Sequence, residues 1–186
     1  MPTIEADVVC VWEAGATLGE GPVWHEAEDK LYWTDIKSAR LHAYRPEDAT
    51  IEQWELPCRV GSIGVPPETW TPPPALGGTP LLACGDWGLM WLGVGRRQVS
   101  VVPIANPESE QPENRYNDGK IGPYGGYWSV MLDYLVIESS LSLYAFSNVV
   151  QVALLVSGFQ VTNGPAFIPD GRIVYNTDSA RQTVYA

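Results

Sequence analysis

Short apolar runs separated by turn residues dominate the chain. Residues 30–34 and 172–175 are aromatic or β-branched runs, and each follows an acidic turn, at 28–29 and at 169–171. Residues 41–44 and 182–185 are again rich in aromatic and aliphatic residues and follow a further turn. Each is therefore expected to form the next strand of a hairpin. No stretch shows sustained helical periodicity. The pattern therefore predicts an all-β protein built from many short strands.

The same ordered pattern occurs near both ends of the chain. Starting at Gly21 and again at Gly164, it runs Gly-Pro, an aromatic residue, an acidic turn, a strand, Thr-Asp and Ser-Ala-Arg. Weaker copies begin near Ser62 and Asn117. A period of about 45 residues with several short strands is typical of a propeller blade. We predict one incomplete β-propeller domain over residues 1–186, with about four blades that start near residues 20, 62, 117 and 163.

Two segments fit this pattern poorly. Residues 65–80 contain six prolines, which cannot donate hydrogen bonds to a sheet ladder. We predict a proline-rich loop insertion or a disordered insertion there. Residues 129–143 are apolar with few turn signals, so their strands are not assigned.

Composition and charge narrow the possible partners. Of the 186 residues, 45% are hydrophobic and 18% charged, which is an ordinary globular balance. The formal net charge of −11 argues against nucleic acid and against anionic membrane surfaces, since both need a basic face. An acidic surface would tolerate a bound cation.

Cysteine spacing and the N-terminus suggest a cytoplasmic protein. Cys10, Cys58 and Cys84 are far apart and form no CxxC motif, so we expect reduced, buried thiols. The N-terminus carries no basic region followed by a long apolar run, and we predict no signal peptide. The apolar stretch 149–156 is too short to cross a bilayer.

Polar residues at one repeat position are the first candidates for a site. Glu20 and Asn163 both precede Gly-Pro, and Asn117 lies at the start of the third repeat. The inner strands of all blades begin near the propeller axis, so these side chains should converge there. Carboxylate and amide oxygens suit calcium, magnesium or manganese. The alternative is that each is an ordinary solvated turn residue.

Three further polar residues are weaker candidates. Arg115 precedes Asn117 by two residues, so on a strand both would face one pocket, unless Arg115 is simply a surface residue. Asp35 and Asp178 follow Thr at matched positions, and we expect their side chains to tie blade turns by hydrogen bonds. Motifs of serine hydrolases, phosphate loops and zinc sites are absent from the sequence.

Three segments resemble signature segments of the regucalcin (senescence marker protein), gluconolactonase and luciferin-regenerating enzyme family. They are residues 18–24, 115–120 and 162–167, in the family's order and at similar spacing. The resemblance implies a six-bladed propeller that holds one divalent cation and hydrolyses sugar lactones. It implies that Glu20 and Asn163 bind the metal and that Arg115 and Asn117 contact the substrate. Calcium is the favoured ion, with zinc, manganese or magnesium as alternatives.

The chain also departs from the family. The resemblance implies a third metal ligand, an aspartate in a later blade and a candidate general base, which would lie after Ala186. The catalytic residue is therefore unassigned, and the chain is interpreted as a fragment, a truncated gene model or a decayed copy. Exposed blade edges should favour self-association. The alternatives to a lactonase are a calcium-binding regulatory protein without turnover and a propeller that serves as an interaction scaffold.

Overall fold

The fold consists of antiparallel sheets connected by short turns. The computed structural model describes residues 7–111, 113–133, 141–148 and 151–186. Within these ranges the only helical element is one 3-10 turn, Glu26–Glu28. The first two sheets consist of β1 (Gly19–His25), β2 (Lys30–Asp35), β3 (Arg40–Arg45) and β4 (Thr50–Glu55), then β5 (Val60–Gly64), β6 (Thr79–Gly85), β7 (Gly88–Val94) and β8 (Val99–Ala105). The next two consist of β9 (Asn114–Ile121), β10 (Tyr127–Asp133), β11 (Leu141–Phe146) and β12 (Val152–Phe159), then β13 (Thr162–Phe167), β14 (Val174–Asp178) and β15 (Thr183–Tyr185).

The strand order is that of propeller blades. Every sheet pairs its strands in chain order, so each blade is an antiparallel meander with its first strand at one edge. The predicted all-β propeller with about four blades is confirmed, and β2 and β3 coincide with the predicted strands. The unassigned segment, residues 129–143, overlaps most of β10 and the start of β11, while residues 134–140 lie outside the described ranges. The fourth blade has three described strands where the others have four.

All four inner strands carry a register shift of the β-bulge type. In β1 the shift lies between Glu20 and Val23, and in β13 between Asn163 and Ala166. Shifts also occur in the pairings of β5 and β9. A bulge inserts one extra residue, bends the strand and re-aims the neighbouring side chains. The Gly-Pro repeats of blades 1 and 4 therefore correspond to one repeated backbone geometry.

Apolar side chains pack between the blades. Strand residues alternate between the two faces of a sheet, so each blade can contact both neighbours. One cluster joins blades 1 and 2, and a second joins blades 2 and 3. Strand β7 of blade 2 is buried over its whole length. The two clusters are centred on Tyr32, Leu41, Trp54, Leu81 and Leu92, and on Trp91, Tyr116, Tyr127, Met131 and Phe146.

The proline-rich segment is a packed loop between β5 and β6. Trp70 and Leu76 within it are buried, and the Trp70 indole N–H donates to the Gly125 carbonyl at 2.6 Å. The loop therefore lies against the β9–β10 turn of blade 3. Thr79 and Pro80, at its end, already belong to β6.

The two Thr-Asp aspartates act as predicted, by holding the chain that enters each blade. Asp35 accepts the backbone N–H groups of Thr17 and Leu18, both at 2.9 Å. Asp178 accepts those of Gln160 and Val161 at 3.0 and 3.3 Å. Burial raises the pKa of Asp35, but hydrogen bonds from Ser38 and from the two backbone groups outweigh it and bring this pKa down to about 2. Both carboxylates therefore fix the start of an inner strand.

One prediction about the cysteines is wrong. Cys58 and Cys84 are buried free thiols, as expected, and burial raises the pKa of Cys58 to about 11. Cys10 is exposed instead of buried, because the short stretch around it belongs to no described strand and has no sheet to cover it. In the described part of the chain, no helix is long and apolar enough to cross a membrane.

We predict that Asp35→Ala destabilises the fold by about 1–3 kcal/mol at neutral pH, because it leaves two backbone N–H groups without their acceptor. In the wild-type chain, the pKa of Asp35 is lower in the folded state than its ordinary value of 3.8. The ionised carboxylate therefore stabilises the fold fully above pH 3.8, and this contribution is lost as the pH falls towards about 2. Urea unfolding at pH 7 and at pH 3 measures both effects. The control Asp170→Asn changes an exposed aspartate and should shift the free energy of unfolding by less than about 0.5 kcal/mol. Equal losses in the two variants would contradict the assignment.

Candidate active site in the central channel

The four inner strands surround a cavity of about 530 Å³. It is lined by residues 20–23 of β1, 118–121 of β9 and 164–166 of β13, and by residues 63–65 at the end of β5. Glu20, Asp118 and Lys120 supply its ionisable side chains. The cavity therefore has a polar part near the start of β1 and an apolar part towards Val23, Val65 and Ile121.

Glu20 and Asn163 occupy equivalent backbone positions in blades 1 and 4. Glu20 pairs with Thr34 and Asn163 pairs with Thr177, each directly before the bulge. The Glu20 side chain is exposed, so its carboxylate is open to solvent or to a ligand. Asn163 is half-buried, and its Nδ2 donates to the Ser179 hydroxyl at 2.8 Å. The matched register places both side chains at the same end of the inner strands.

Asn117 contacts Asn163 directly. Its Nδ2 donates to the Oδ1 of Asn163 at 3.1 Å and to the Thr162 carbonyl at 2.8 Å. An amide oxygen has two lone pairs, so this bond leaves the Asn163 oxygen able to accept one more partner or bind a cation. Two of the four predicted site residues are thus brought into contact across the boundary between blades 3 and 4.

Arg115 is placed differently from Asn117. Its side chain is only 3% exposed, whereas that of Asn117 is half-buried, and one guanidinium nitrogen donates to the Tyr116 carbonyl at 3.2 Å. Arg115, Asn117 and Asn163 are all absent from the residues that line the cavity. Tyr116 pairs with Met131 and Asp118 with Val130, which leaves Asn117 as the extra residue of a bulge. The rule that strand residues i and i+2 face the same side therefore does not apply to Arg115 and Asn117.

Asp118 is a site residue that the repeat pattern does not indicate. One carboxylate oxygen accepts the Gly119 N–H at 2.7 Å, and the other accepts the Gly164 N–H of β13 at 2.9 Å. The Ser129 hydroxyl donates to its backbone carbonyl at 2.8 Å. The only sequence signal is the run Asn117-Asp118-Gly119, which also reads as an ordinary turn. Asp118 holds the backbone directly after Asn163 and adds negative charge to the channel.

The oxygen donors at the two matched positions are of the types that hard divalent cations prefer. Glu20 lines the cavity and offers a carboxylate, and Asn163, which adjoins the lining residue Gly164, offers an amide oxygen; calcium, magnesium and manganese prefer such ligands. No group of three or more His, Cys, Asp or Glu side chains suited to a metal occurs among the described residues. Glu20 and Asn163 would therefore supply two oxygen ligands, fewer than the roughly six to eight that calcium takes.

Sequence comparison assigns the chain to a family. The profile of the SMP-30/Gluconolactonase/LRE-like region matches residues 18–186. The chain belongs to this SMP-30/gluconolactonase family. The 6-deoxy-6-sulfogluconolactonase of Pseudomonas putida is 29% identical over 176 residues, which cover 95% of this chain and 56% of the relative. Pentonolactonase XacC of Haloferax volcanii is 30% identical over 185 residues, covering 96% and 55%.

Solved structures of the SMP-30/gluconolactonase family share the fold. A regucalcin from Agrobacterium tumefaciens, described as a calcium-binding protein, superposes with a TM-score of 0.81 at 23% identity, over 94% of this chain and 55% of its own. A luciferin-regenerating enzyme gives a TM-score of 0.78 at 26% identity, over 91% and 55%. The chain thus spans a little over half the length of the relatives it matches. The homologues support membership of a lactone-hydrolysing enzyme family.

We predict that Asp118→Ala loosens the backbone next to Asn163, because the Gly164 N–H loses its charged acceptor. Removing such an acceptor should cost about 1–3 kcal/mol of unfolding free energy. Amide hydrogen exchange should show faster exchange at Gly164. Asp118→Asn keeps one side-chain oxygen, which can accept only one of the two N–H groups, so its effect on Gly164 exchange should be smaller than that of Asp118→Ala. Unchanged protection of Gly164 in Asp118→Ala would rule out this link.

Proposed function

We propose that this channel is the site of a metal-dependent hydrolase of small sugar lactones. The observation that carries the proposal is the matched placement of Glu20 and Asn163 before the bulges of β1 and β13, with Asn117 bonded to Asn163. Relatives named as lactonases of a sulfogluconic and a pentonic substrate indicate the substrate class. Small-molecule aldonolactones are the proposed substrates.

In this proposal, Glu20 and Asn163 hold one divalent cation. A bound cation would supply Lewis-acid polarisation of the lactone carbonyl and a water of lowered pKa. The Asn117 amide fixes the orientation of the Asn163 oxygen and, in the same position, can contact a substrate hydroxyl. Asp118 keeps β13 in register with β9 and makes the channel more attractive to a cation. Calcium is the proposed ion, with zinc, manganese and magnesium to be compared.

The remaining assignments in this proposal rest on the family resemblance. Arg115 is proposed to contact the substrate, although its guanidinium is buried against the Tyr116 carbonyl in this structure. Contact would therefore need Arg115 to change its rotamer. The general base is unassigned, because the resemblance places it after residue 186. The proposal also includes a cytoplasmic location, on the basis of the widely spaced cysteines and the N-terminal sequence. The net charge of −11 argues against nucleic-acid and membrane partners, and exposed strand edges favour self-association.

A second function is favoured by the named relatives. Rabbit (Oryctolagus cuniculus) regucalcin is 26% identical over 188 residues, and the Agrobacterium tumefaciens regucalcin is described as a calcium-binding protein. The same two oxygen donors would serve a calcium-binding regulatory protein without turnover. The two functions share the cation site and differ only in lactone hydrolysis.

We predict that Glu20→Gln weakens calcium binding by at least about tenfold, because the channel loses its one solvent-open carboxylate. Calorimetric titration of the purified chain with calcium, and then with zinc, manganese and magnesium, measures the affinity. Hydrolysis of a panel of aldonolactones, followed by acid release with and without each ion, measures turnover.

Glu26→Gln is the matched control for this experiment. It removes the same charge from an exposed glutamate in the same blade, outside the cavity, and should leave the cation affinity unchanged. Calcium binding without hydrolysis would support the regulatory alternative. Equal effects of the two variants, or no binding of any ion, would refute the proposed site.

A further inference from the structure

A second cavity lies at the other end of the propeller from Glu20 and Asn163. It has a volume of about 380 Å³ and is formed by residues 123–126 after β9, residues 147 and 148 after β11, the end of β13 and the proline-rich loop. No described residue lines both this cavity and the channel. Along β9, residue 122 lies about 16 Å beyond Asn117 at the usual rise of a strand. We call this cavity the turn pocket.

The walls of the turn pocket come from three blades. Thr69 of the proline-rich loop, in blade 2, forms one wall, and its carbonyl accepts the Asn148 Nδ2 of blade 3 at 2.8 Å. Towards blade 4, the Tyr124 hydroxyl donates to the Asp170 carbonyl in the β13–β14 turn at 2.6 Å. Hydrogen bonds between blades therefore hold the walls together, so the pocket has its shape before a ligand arrives, as most small-molecule sites do.

Trp128 supplies the main aromatic surface of the turn pocket. It is half-buried, and its ring meets that of Phe167 edge to face, with centroids 5.2 Å apart. A Cβ at Gly122 would lie 3.0 Å from the Trp128 Nε1, and one at Gly126 would lie 3.6 Å from it. Glycine at both positions therefore leaves the N–H edge of the indole uncovered. This N–H has no acceptor among the described residues and can donate to a ligand oxygen.

The polar groups of the turn pocket are uncharged. They are amides and hydroxyls, among them the Asn148 Oδ1, the Gln151 side chain and the Thr69 hydroxyl. No Asp, Glu, Lys, Arg or His is among the described residues that line the pocket, although the chain has a net charge of −11. An ionic ligand would lose hydration here without gaining a counter-charge, so the pocket favours a neutral ligand.

We propose that the turn pocket binds a neutral sugar. The C–H face of a sugar ring can pack on an aromatic side chain such as Trp128. Its hydroxyls both donate and accept hydrogen bonds, which matches one indole N–H and two amides. The volume of about 380 Å³ is in the range of small-molecule sites. Binding there needs no metal and no residue of the channel, so it is independent of the proposed lactonase activity.

The Trp128 indole N–H reports binding directly. In heteronuclear NMR spectra its signal is the one missing from Trp128→Phe, and titration with methyl glucoside, methyl galactoside and methyl xyloside should shift it saturably for at least one sugar. These sugars contain no lactone, so the channel cannot hydrolyse them. Gluconate and glucosamine, which are charged, and cyclohexanol, which has a single hydroxyl, should bind at least about tenfold more weakly. A signal that no neutral sugar moves, or equal binding of these three probes, would overturn the proposal.

A pair of glutamine variants tests the pocket without disturbing its aromatic rings. Gln151 is exposed and its side chain bonds to no described residue, so Gln151→Leu should fold normally and weaken sugar binding by about threefold to tenfold. Gln53→Leu makes the same change at an exposed position of β4, outside the pocket, and should leave the affinity unchanged. Titration calorimetry with the sugar that moves the Trp128 signal measures both variants. Equal affinities in the two would contradict the assignment of the pocket.

Discussion

The bulge in each inner strand is the constraint on which the site depends. In β1 and β13 it falls on Gly-Pro, and both glycines have positive φ, 60° for Gly21 and 99° for Gly164. Only glycine adopts this backbone region at little cost. The bulges bend the inner strands where four of them meet, and Glu20 and Asn163 are the residues directly before the bend. The Gly-Pro repeat therefore specifies where two side chains point as well as where two strands turn.

Two side chains of β9, in blade 3, form hydrogen bonds to the bulged strand β13 of blade 4. Asn117 bonds the Asn163 side chain and the Thr162 carbonyl, and Asp118 bonds the Gly164 N–H. These bonds act on three consecutive residues of β13. Because they replace the water that would otherwise satisfy the same groups, they hold the bulge of blade 4 in register with that of blade 3. The orientation of Asn163 is thus set by a neighbouring blade.

The fold was largely predictable, while the site was predictable only in part. Strands, turns and the blade repeat follow from local periodicity, which the chain shows clearly around β2, β3 and β14. Glu20 and Asn163 share a repeat position, and the structure gives them equivalent register, while their role as metal ligands stays a prediction. Asp118 and the burial of Arg115 were not predicted, because a bulge at Asn117 shifts the register by one residue and no local pattern reveals it. The exposure of Cys10 likewise depends on which strands find partners, a property of the whole structure.

The outer edge of blade 4 and the channel are linked through β14. Strand β14 pairs with β15 on one side and with β13 on the other, and Thr177 of β14 lies opposite Asn163. Asp178, at the end of β14, also fixes the N–H groups of Gln160 and Val161, where the chain enters β13. Pairing with β13 and β15 holds β14, and with it the position of Thr177 opposite Asn163. The stability of the β13–β14–β15 sheet therefore limits how firmly the Asn163 side chain is held.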